Sequence, residues 1–308
     1  MTVKDLDFCV IDAHSHLWLR QEAVVDGQRI FQLSNGRSIF FGEERQMLPP
    51  FMVDGRNTAG VFLSNMDYAR VSAAVVVQEF IDGLQNDYLA EVRRGWPERF
   101  RVCAMCDFRV AGFLDEARCM IASGRFDGIA IPGHRLARPL DDPEMMAMYA
   151  AMERCGMFLS LCLHEDNHQL PEVEDIIASF PDLRIAIGHF GMVTAPGWLD
   201  QVRLARHSNV YVESGGITWL FNEEFYPFDG AVRAIRQAAD EVGMEKLMWG
   251  SDYPRTITAI TYRMSYDFIL KSDLLSDDEK RLFLGGNAKR FYGFEDLFIP
   301  HYVKNMSE

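Results

Sequence analysis

Eight short apolar runs recur along this chain, and segments with helical periodicity separate most of them. The runs fall at about 8–13 (FCVIDA), 73–79 (AAVVVQE), 100–106 (FRVCAMC), 127–131 (DGIAI), 157–163 (MFLSLCL), 183–188 (LRIAIG), 209–213 (NVYVE) and 245–250 (EKLMWG). Near-continuous apolar runs of this length read as strands covered on both faces, the pattern of a parallel sheet. Stretches such as DYLAEVRRGW, DPEMMAMYAAMERC, PEVEDIIASF and FDGAVRAIRQAADEVG supply the helical crossovers that parallel strands require. Eight strand–helix units in 308 residues fit a (β/α)8 barrel better than an open doubly wound sheet. The G-x-G-x-x-G loop of a dinucleotide fold is missing. With no repeat, low-complexity tract or linker, residues 1–308 read as one domain.

The one break in the rhythm lies between the first two runs. Residues 19–70 include SNGRSIFFGEERQMLPPFMVDGRNT, rich in turn residues, charges and aromatics. We read 19–60 as a long loop insertion. Long loops are often lids, and on a barrel this one falls at the face formed by the strands' C-terminal ends. A surface excursion packed on the barrel or on a second copy is the plainer alternative. Residues 275–308 read as closing helices and a tail.

Charge narrows the partners. The formal net charge of −14 suits neither a phosphate backbone nor an anionic membrane surface. No run of about 18 apolar residues is present, and MTVKDLDFCV lacks a signal-peptide core. A cytoplasmic protein with a small-molecule substrate is expected, and the aromatic-rich insertion and tail leave room for a homodimer. Of six cysteines, Cys9, Cys103, Cys106 and Cys162 lie in apolar runs. Cys103 and Cys106 form a C-x-x-C inside a strand-like run with no second pair, so buried free thiols are expected.

Chemistry-bearing residues cluster where the runs end. The first run continues into Asp12-Ala13-His14-Ser15-His16-Leu17-Trp18, the fifth into His164, the sixth into His189 and the eighth into Ser251-Asp252-Tyr253-Pro254. On a barrel these ends share one rim, which gathers four of the eight histidines with one aspartate. His14 and His16, two apart, point to one side of a strand. Neutral imidazoles and a carboxylate suit zinc or another divalent first-row ion, with manganese the second choice. Such an ion lowers the pKa of bound water, and Asp252 can orient or deprotonate that water.

His164-Glu165-Asp166-Asn167-His168 also matches H-E-x-x-H. That motif binds zinc only on a helix. Here it follows the strand-like MFLSLCL and precedes the helix signal at Pro171, so a zinc protease is not expected.

IDAHSHLW, LCLHED, AIGHFG and MWGSDYP, in this order, resemble the amidohydrolase superfamily, and more narrowly its amidohydrolase-related ("amidohydrolase 2") group of lactonases and non-oxidative decarboxylases. The resemblance runs from about residue 9 to GGNAKRFYGF. It implies His14, His16, His164 and Asp252 as metal ligands, with Asp252 also acid or base and His189 catalytic base or polariser. Dinuclear members carry a bridging Lys or Glu after the fourth strand. This chain has Ile131-Pro132-Gly133-His134-Arg135 there, which implies one ion. Some lactonase relatives are built to work without a metal.

VVVQEFIDGLQNDYLAEV and HLW lean towards the lactonase branch. The expected activity is metal-dependent hydrolysis of a small carboxylate-bearing cyclic ester. The alternatives are metal-dependent decarboxylation of an aromatic or muconate-type acid, and an inactive metabolite-binding barrel. Arg135, Arg255, Gln78, Trp18 and Tyr253, all near run ends, are the expected substrate contacts; rim salt bridges are the plainer reading of the two arginines. Glu213 and Glu79 either support a ligand or bridge neighbouring loops. His134 is a further candidate ligand, and His207 and His301 read as structural or exposed.

Overall fold

A computed structural model describes residues 1–308. Strand β1 (Val10–Ser15) leads into four strands of an insertion, β2 (Glu22–Val25), β3 (Gln28–Gln32), β4 (Arg37–Phe40) and β5 (Glu43–Gln46). Then follow β6 (Val71–Val76), β7 (Phe100–Ala104), β8 (Gly128–Pro132), β9 (Phe158–Cys162), β10 (Arg184–Ile187), β11 (Val210–Glu213) and β12 (Leu247–Met248). The helices are α1 (Ala59–Ala69), α2 (Asn86–Gly95), α3 (Phe113–Ala122), α4 (Pro143–Arg154), α5 (Leu170–Ser179), α6 (Trp198–Arg203), α7 (Ile217–Leu220) and α8 (Asp229–Val242). The last three are α9 (Met264–Lys271), α10 (Asp277–Arg281) and α11 (Asn287–Tyr292).

The barrel sheet runs β1-β6-β7-β8-β9-β10-β11-β12, and every pair is parallel. It closes through the segment after β12: Ala13 N–H donates to Trp249 O at 2.8 Å, Asp252 N–H to His14 O at 2.9 Å, and His16 N–H to Tyr253 O at 2.7 Å. All eight expected strands are therefore present. The eighth regular strand is only two residues long, because the chain turns after Met248 to bring Asp252 across β1.

Alternation along the strands sorts the side chains. Ile11, Ala13, Ala73, Val75, Ala130, Phe158, Ala186 and Met248 fill the barrel interior, and Phe291, Tyr292 and Phe294 plug its lower end. Val10, Ala74, Val76, Ile129, Ile131 and Leu159 face the helices. Strict alternation from Ile11 and Ala13 would send His14 and His16 outward. The β1–β6 register shifts between Asp12 and Ser15, and past that irregularity both histidines line the inner cavity. A bulge that re-aims a side chain has this effect. The two-residue spacing thus keeps the pair together, while the bulge, not simple alternation, chooses the face.

The insertion is not a loop. β2–β5 form an antiparallel four-stranded sheet. Asp26-Gly27 and Phe41-Gly42 close two-residue hairpins between Val25↔Gln28 and Phe40↔Glu43, and Asn35-Gly36 turns the middle connection. All six residues have positive φ, from 50° to 83°, the conformation that tight hairpin turns require. The Asp-Gly and Asn-Gly pairs were hairpin signals within the stretch read as loop.

The closing segment contains α10 and α11 as expected, and its tail is tied to the N-terminus by Arg70. This buried guanidinium donates to the carbonyls of Val3 (2.7 Å), Lys4 (2.9 Å), Leu6 (3.4 Å) and Pro300 (2.9 Å). Arg70→Ala leaves those carbonyls without their charged donor. We expect it to lower unfolding free energy by about 3 kcal/mol, read from urea denaturation; a loss near zero would mean water replaces the guanidinium.

All six cysteines are free, and Cys103 and Cys106 are buried, as anticipated. No helix is long and apolar enough to cross a membrane.

Candidate active site

A cavity of about 410 Å³ opens at the C-terminal ends of the barrel strands, lined by His14, His16, Gln78, Glu79, His134, Arg135, His164, His189, Trp219, Asp252 and Arg255, among others. At its floor, ligand atoms of His14, His16 and Asp252 all lie within 4.8 Å of one another. His14 Nε2 is 3.2 Å from His16 Nε2, and Asp252 Oδ1 is 2.9 Å from His16 Nε2. Glu213, at the end of β11, accepts the Nδ1–H of His14 at 2.7 Å and also takes Gly215 N–H at 2.5 Å. That contact fixes the His14 ring with Nε2 towards the cluster, where it becomes a lone-pair donor once an ion displaces its proton. Of the two readings of Glu213, the geometry matches support of the His14 imidazole.

Small residues make this packing feasible. A Cβ on Gly215 would sit 2.8 Å from His14 Cγ, and one on Gly250 would sit 2.7 Å from His14 Cβ. Below the cluster, fully buried Asp12 accepts from Ser251 N–H (2.8 Å), Ser251 Oγ (2.5 Å) and Tyr262 OH (2.7 Å), which locks β1 to the segment after β12. Burial raises the Asp12 carboxyl to about 6 against these hydrogen bonds.

The environment sets the protonation states. Burial opposes a charge on His14, but Glu213, with Asp252 and Asp12 behind it, outweighs burial and brings the ring up to about 9. Burial, reinforced by the Arg255 charge, lowers His16 to about 4. Burial also works against Asp252, yet the His16 hydrogen bond and the Arg255, His16 and His14 charges hold its carboxyl far below the usual range. Asp252 is ionised, with Oδ2 accepting from Trp219 Nε1 at 2.8 Å. His189 is depressed by burial and by the His14 charge. Its Nδ1–H donates to Gly215 O at 2.7 Å, and its Nε2 makes no hydrogen bond within the protein. Both His189 (φ 56°) and Asp252 (φ 58°) adopt the left-handed conformation, strain of the kind that clusters at functional sites.

Two convergent imidazoles and one carboxylate, all buried and close, are a donor set that fits a divalent first-row ion. His16 turns Nε2 to the cluster, and its Nδ1, on the other side of the ring, is buried without a hydrogen-bond partner.

The expected residues are not all drawn together. His14, His16 and Asp252 form the cluster, and the His189 ring lies beside His14, tilted by 53° with centroids 4.7 Å apart. His164 does not join it. It lies two residues past β9, lines the cavity with its side chain 41% exposed, and turns its Nδ1 towards Asp166 at 3.1 Å. His168 Nδ1 contacts the same carboxylate, and α5 begins only at Leu170, so the H-E-x-x-H string is a loop and not a helical zinc site.

Arg135 and Arg255 line the cavity, and both make the rim salt bridges of the plainer reading. Arg135 Nε donates to Glu79 at 3.1 Å, which leaves its two terminal nitrogens without hydrogen bonds. Arg255 grips Asp82 at 2.8 and 2.9 Å. Gln78 lines the cavity, but its amide nitrogen is engaged by Asn86 and Cys103 O. His134 lines the cavity too, and burial with the neighbouring Arg135 charge lowers it to about 3.

Two expected substrate contacts are corrected. Trp18 is 1% exposed, packs on Leu48 and Met52 beneath the insertion, and donates Nε1–H to Gly55 O at 2.9 Å. Tyr253 is fully buried and stacks on Phe62 of α1, centroids 4.0 Å apart. Tyr253 pairs with Ser15 in the closing ladder, and alternation after the inward Asp252 turns its ring to the helix side. Asp82 and Trp219 were not anticipated. Neither sits at a strand end: each follows on a short helical turn, Phe80–Asp82 and α7.

The sequence matches the family model described as "Amidohydrolase" over residues 11–294. No curated protein matches the chain. Among solved structures, a probable 2-pyrone-4,6-dicarboxylic acid hydrolase from Acinetobacter baumannii with citric acid bound has TM-score 0.67 and 18% identity, covering 92% of this chain and 99% of that one. An amidohydrolase from Burkholderia multivorans with bound zinc has TM-score 0.67 and 19% identity, covering 92% and 99%. A 5-carboxyvanillate decarboxylase from Sphingomonas paucimobilis has TM-score 0.56 and 20% identity, covering 78% and 85%. At these identities the likenesses establish the shared barrel.

Proposed function

The chain belongs to the amidohydrolase family, and from that premise we propose that it is a metal-dependent hydrolase opening a small cyclic ester that carries a carboxylate. His14, His16 and Asp252 would hold one divalent ion, zinc by donor chemistry with manganese the second choice, which would supply carbonyl polarisation and a more acidic water. The observation that carries the hydrolytic reading is the hydrogen bonding of the two groups that move protons. His189, its Nδ1–H engaged by Gly215 O, offers an unprotonated Nε2, and Asp252 is ionised. Both are poised as bases. Water attack on an ester needs a base first, whereas decarboxylation by protonating a substrate carbon needs an acid first.

His189 Nε2 takes a proton from water as its oxygen adds to the ester carbonyl. The ring C–O bond then breaks, and the proton held on His189 passes to the departing alkoxide. The product is a hydroxy acid. Arg135 holds the substrate carboxylate with its two free terminal nitrogens, a fork that matches two oxygens, while Glu79 fixes the Nε side. Arg255, clamped by Asp82, adds positive charge on the same wall. Phe41 of the insertion lies under the Arg135 guanidinium at 5.8 Å.

Arg135→Gln tests the anchor. For a carboxylated lactone, KM should rise about 30- to 100-fold with kcat little changed, the loss of one charge-assisted fork. An uncharged lactone of the same ring should be unaffected. Equal losses on both substrates would remove Arg135 from carboxylate recognition.

A further inference from the structure

The two histidines of the cluster are supported unequally. His14 has Glu213 on its Nδ1 at 2.7 Å. His16 Nδ1 is buried with no hydrogen-bond partner. The carboxylate nearest it is Asp82, whose Oδ2 lies 3.6 Å away. Asp82 is only 2% exposed and is held from two other directions. Arg255 Nη2 donates to both of its oxygens at 2.8 and 2.9 Å, and Gln21 Nε2 donates to Oδ1 at 3.1 Å. Gln21 in turn accepts from Ser38 Oγ of β4 at 2.7 Å. A buried carboxylate therefore stands where the insertion sheet, an arginine of the cavity wall and the cluster meet.

We propose that Asp82 is a positioning residue for the metal centre, the counterpart on His16 of Glu213 on His14. With an ion on Nε2, the proton of His16 moves to Nδ1, and Asp82 Oδ2, 3.6 Å from that nitrogen, is the carboxylate that would close on it, while Gln21 and Ser38 tie this support to the insertion. A carboxylate behind a ligating imidazole fixes both tautomer and ring orientation. Arg255 neutralises the charge of Asp82 through both of its oxygens. The proposal rests on reading His14, His16 and Asp252 as metal ligands.

The test uses the full chain as wild type, Asp82→Asn and the double variant Asp82→Asn/Arg255→Gln. Zinc affinity is measured by competition with a chromophoric chelator. Exchange protection of the His16 Nδ1–H is followed by ¹⁵N-histidine NMR of the zinc-loaded protein. Asp82→Asn should weaken zinc by about 10- to 100-fold and speed exchange of that proton. The double variant, which removes the unpaired arginine charge along with the acid, should fold and remain weakened by a similar factor. Wild-type affinity in the double variant would overturn the proposal, because Asp82 would then serve only to neutralise Arg255. Unchanged affinity and protection in Asp82→Asn would also overturn it, leaving the metal reading intact. Absence of zinc binding by the wild type would overturn both.

Discussion

His14→Ala/His16→Ala yields a folded protein with almost no bound divalent ion and hydrolysis reduced by at least about 10³-fold. Two of the three convergent donors disappear, and Asp252 alone is a weak, monodentate site for a first-row ion. The barrel survives because its closure is made by backbone bonds, from Ala13 N–H to Trp249 O and from Asp252 N–H to His14 O, which need no imidazole. The variant leaves the buried Glu213 without its main partner, so some stability is lost, about 2 kcal/mol. Elemental analysis and circular dichroism on the same sample separate loss of metal from loss of fold. A variant that keeps one ion per chain would move the metal elsewhere.

Asp252→Asn is the second large effect. Asparagine tolerates the left-handed φ of 58° at this position and can still accept the Trp219 Nε1–H, so the backbone and the α7 contact persist. The negative charge is lost. A group held ionised by His16, Arg255 and His14 becomes neutral, which weakens the ion and removes one proton acceptor. We expect kcat to fall by about 10² to 10⁴ and metal affinity to fall with it. KM for a carboxylated lactone should change little, because the proposed anchor of the acid group is Arg135, not Asp252. Steady-state kinetics at saturating metal separates the two losses. A kcat within a factor of three of wild type would exclude Asp252 from the chemistry.

Much of this site is legible in the sequence because barrel geometry converts order into position. Apolar runs ending in His14, His189 and Asp252 must bring those residues to one rim once the strands are parallel and closed. What escapes is whatever departs from the regular strand. The face chosen by His14 and His16 depends on a register shift between Asp12 and Ser15 that no periodicity announces. Tyr253 and Trp18 were read as substrate contacts from proximity to strand ends, and both are turned away by packing on Phe62, Leu48 and Met52. His164 shows the same limit. Two residues of loop beyond β9 are enough for its ring to pair with Asp166 instead of the cluster. Asp82 and Trp219 were missed because their contacts with Arg255 and Asp252 span 173 and 33 positions of sequence. The insertion is the opposite case: Asp26-Gly27 and Asn35-Gly36 carry local hairpin chemistry inside a charged, aromatic stretch with no apolar alternation to mark its strands.

Hydrolysis at the His14, His16 and Asp252 centre can be followed atom by atom. The most direct measurement is turnover of a panel of carboxylated lactones and aromatic carboxylic acids by the zinc-loaded protein in H₂¹⁸O, with products read by mass spectrometry and released gas by a CO₂ electrode. The account predicts a hydroxy acid carrying one ¹⁸O in its new carboxylate and no CO₂. CO₂ release from an aromatic acid, with no label entering any lactone, would contradict it and assign the same residues to decarboxylation.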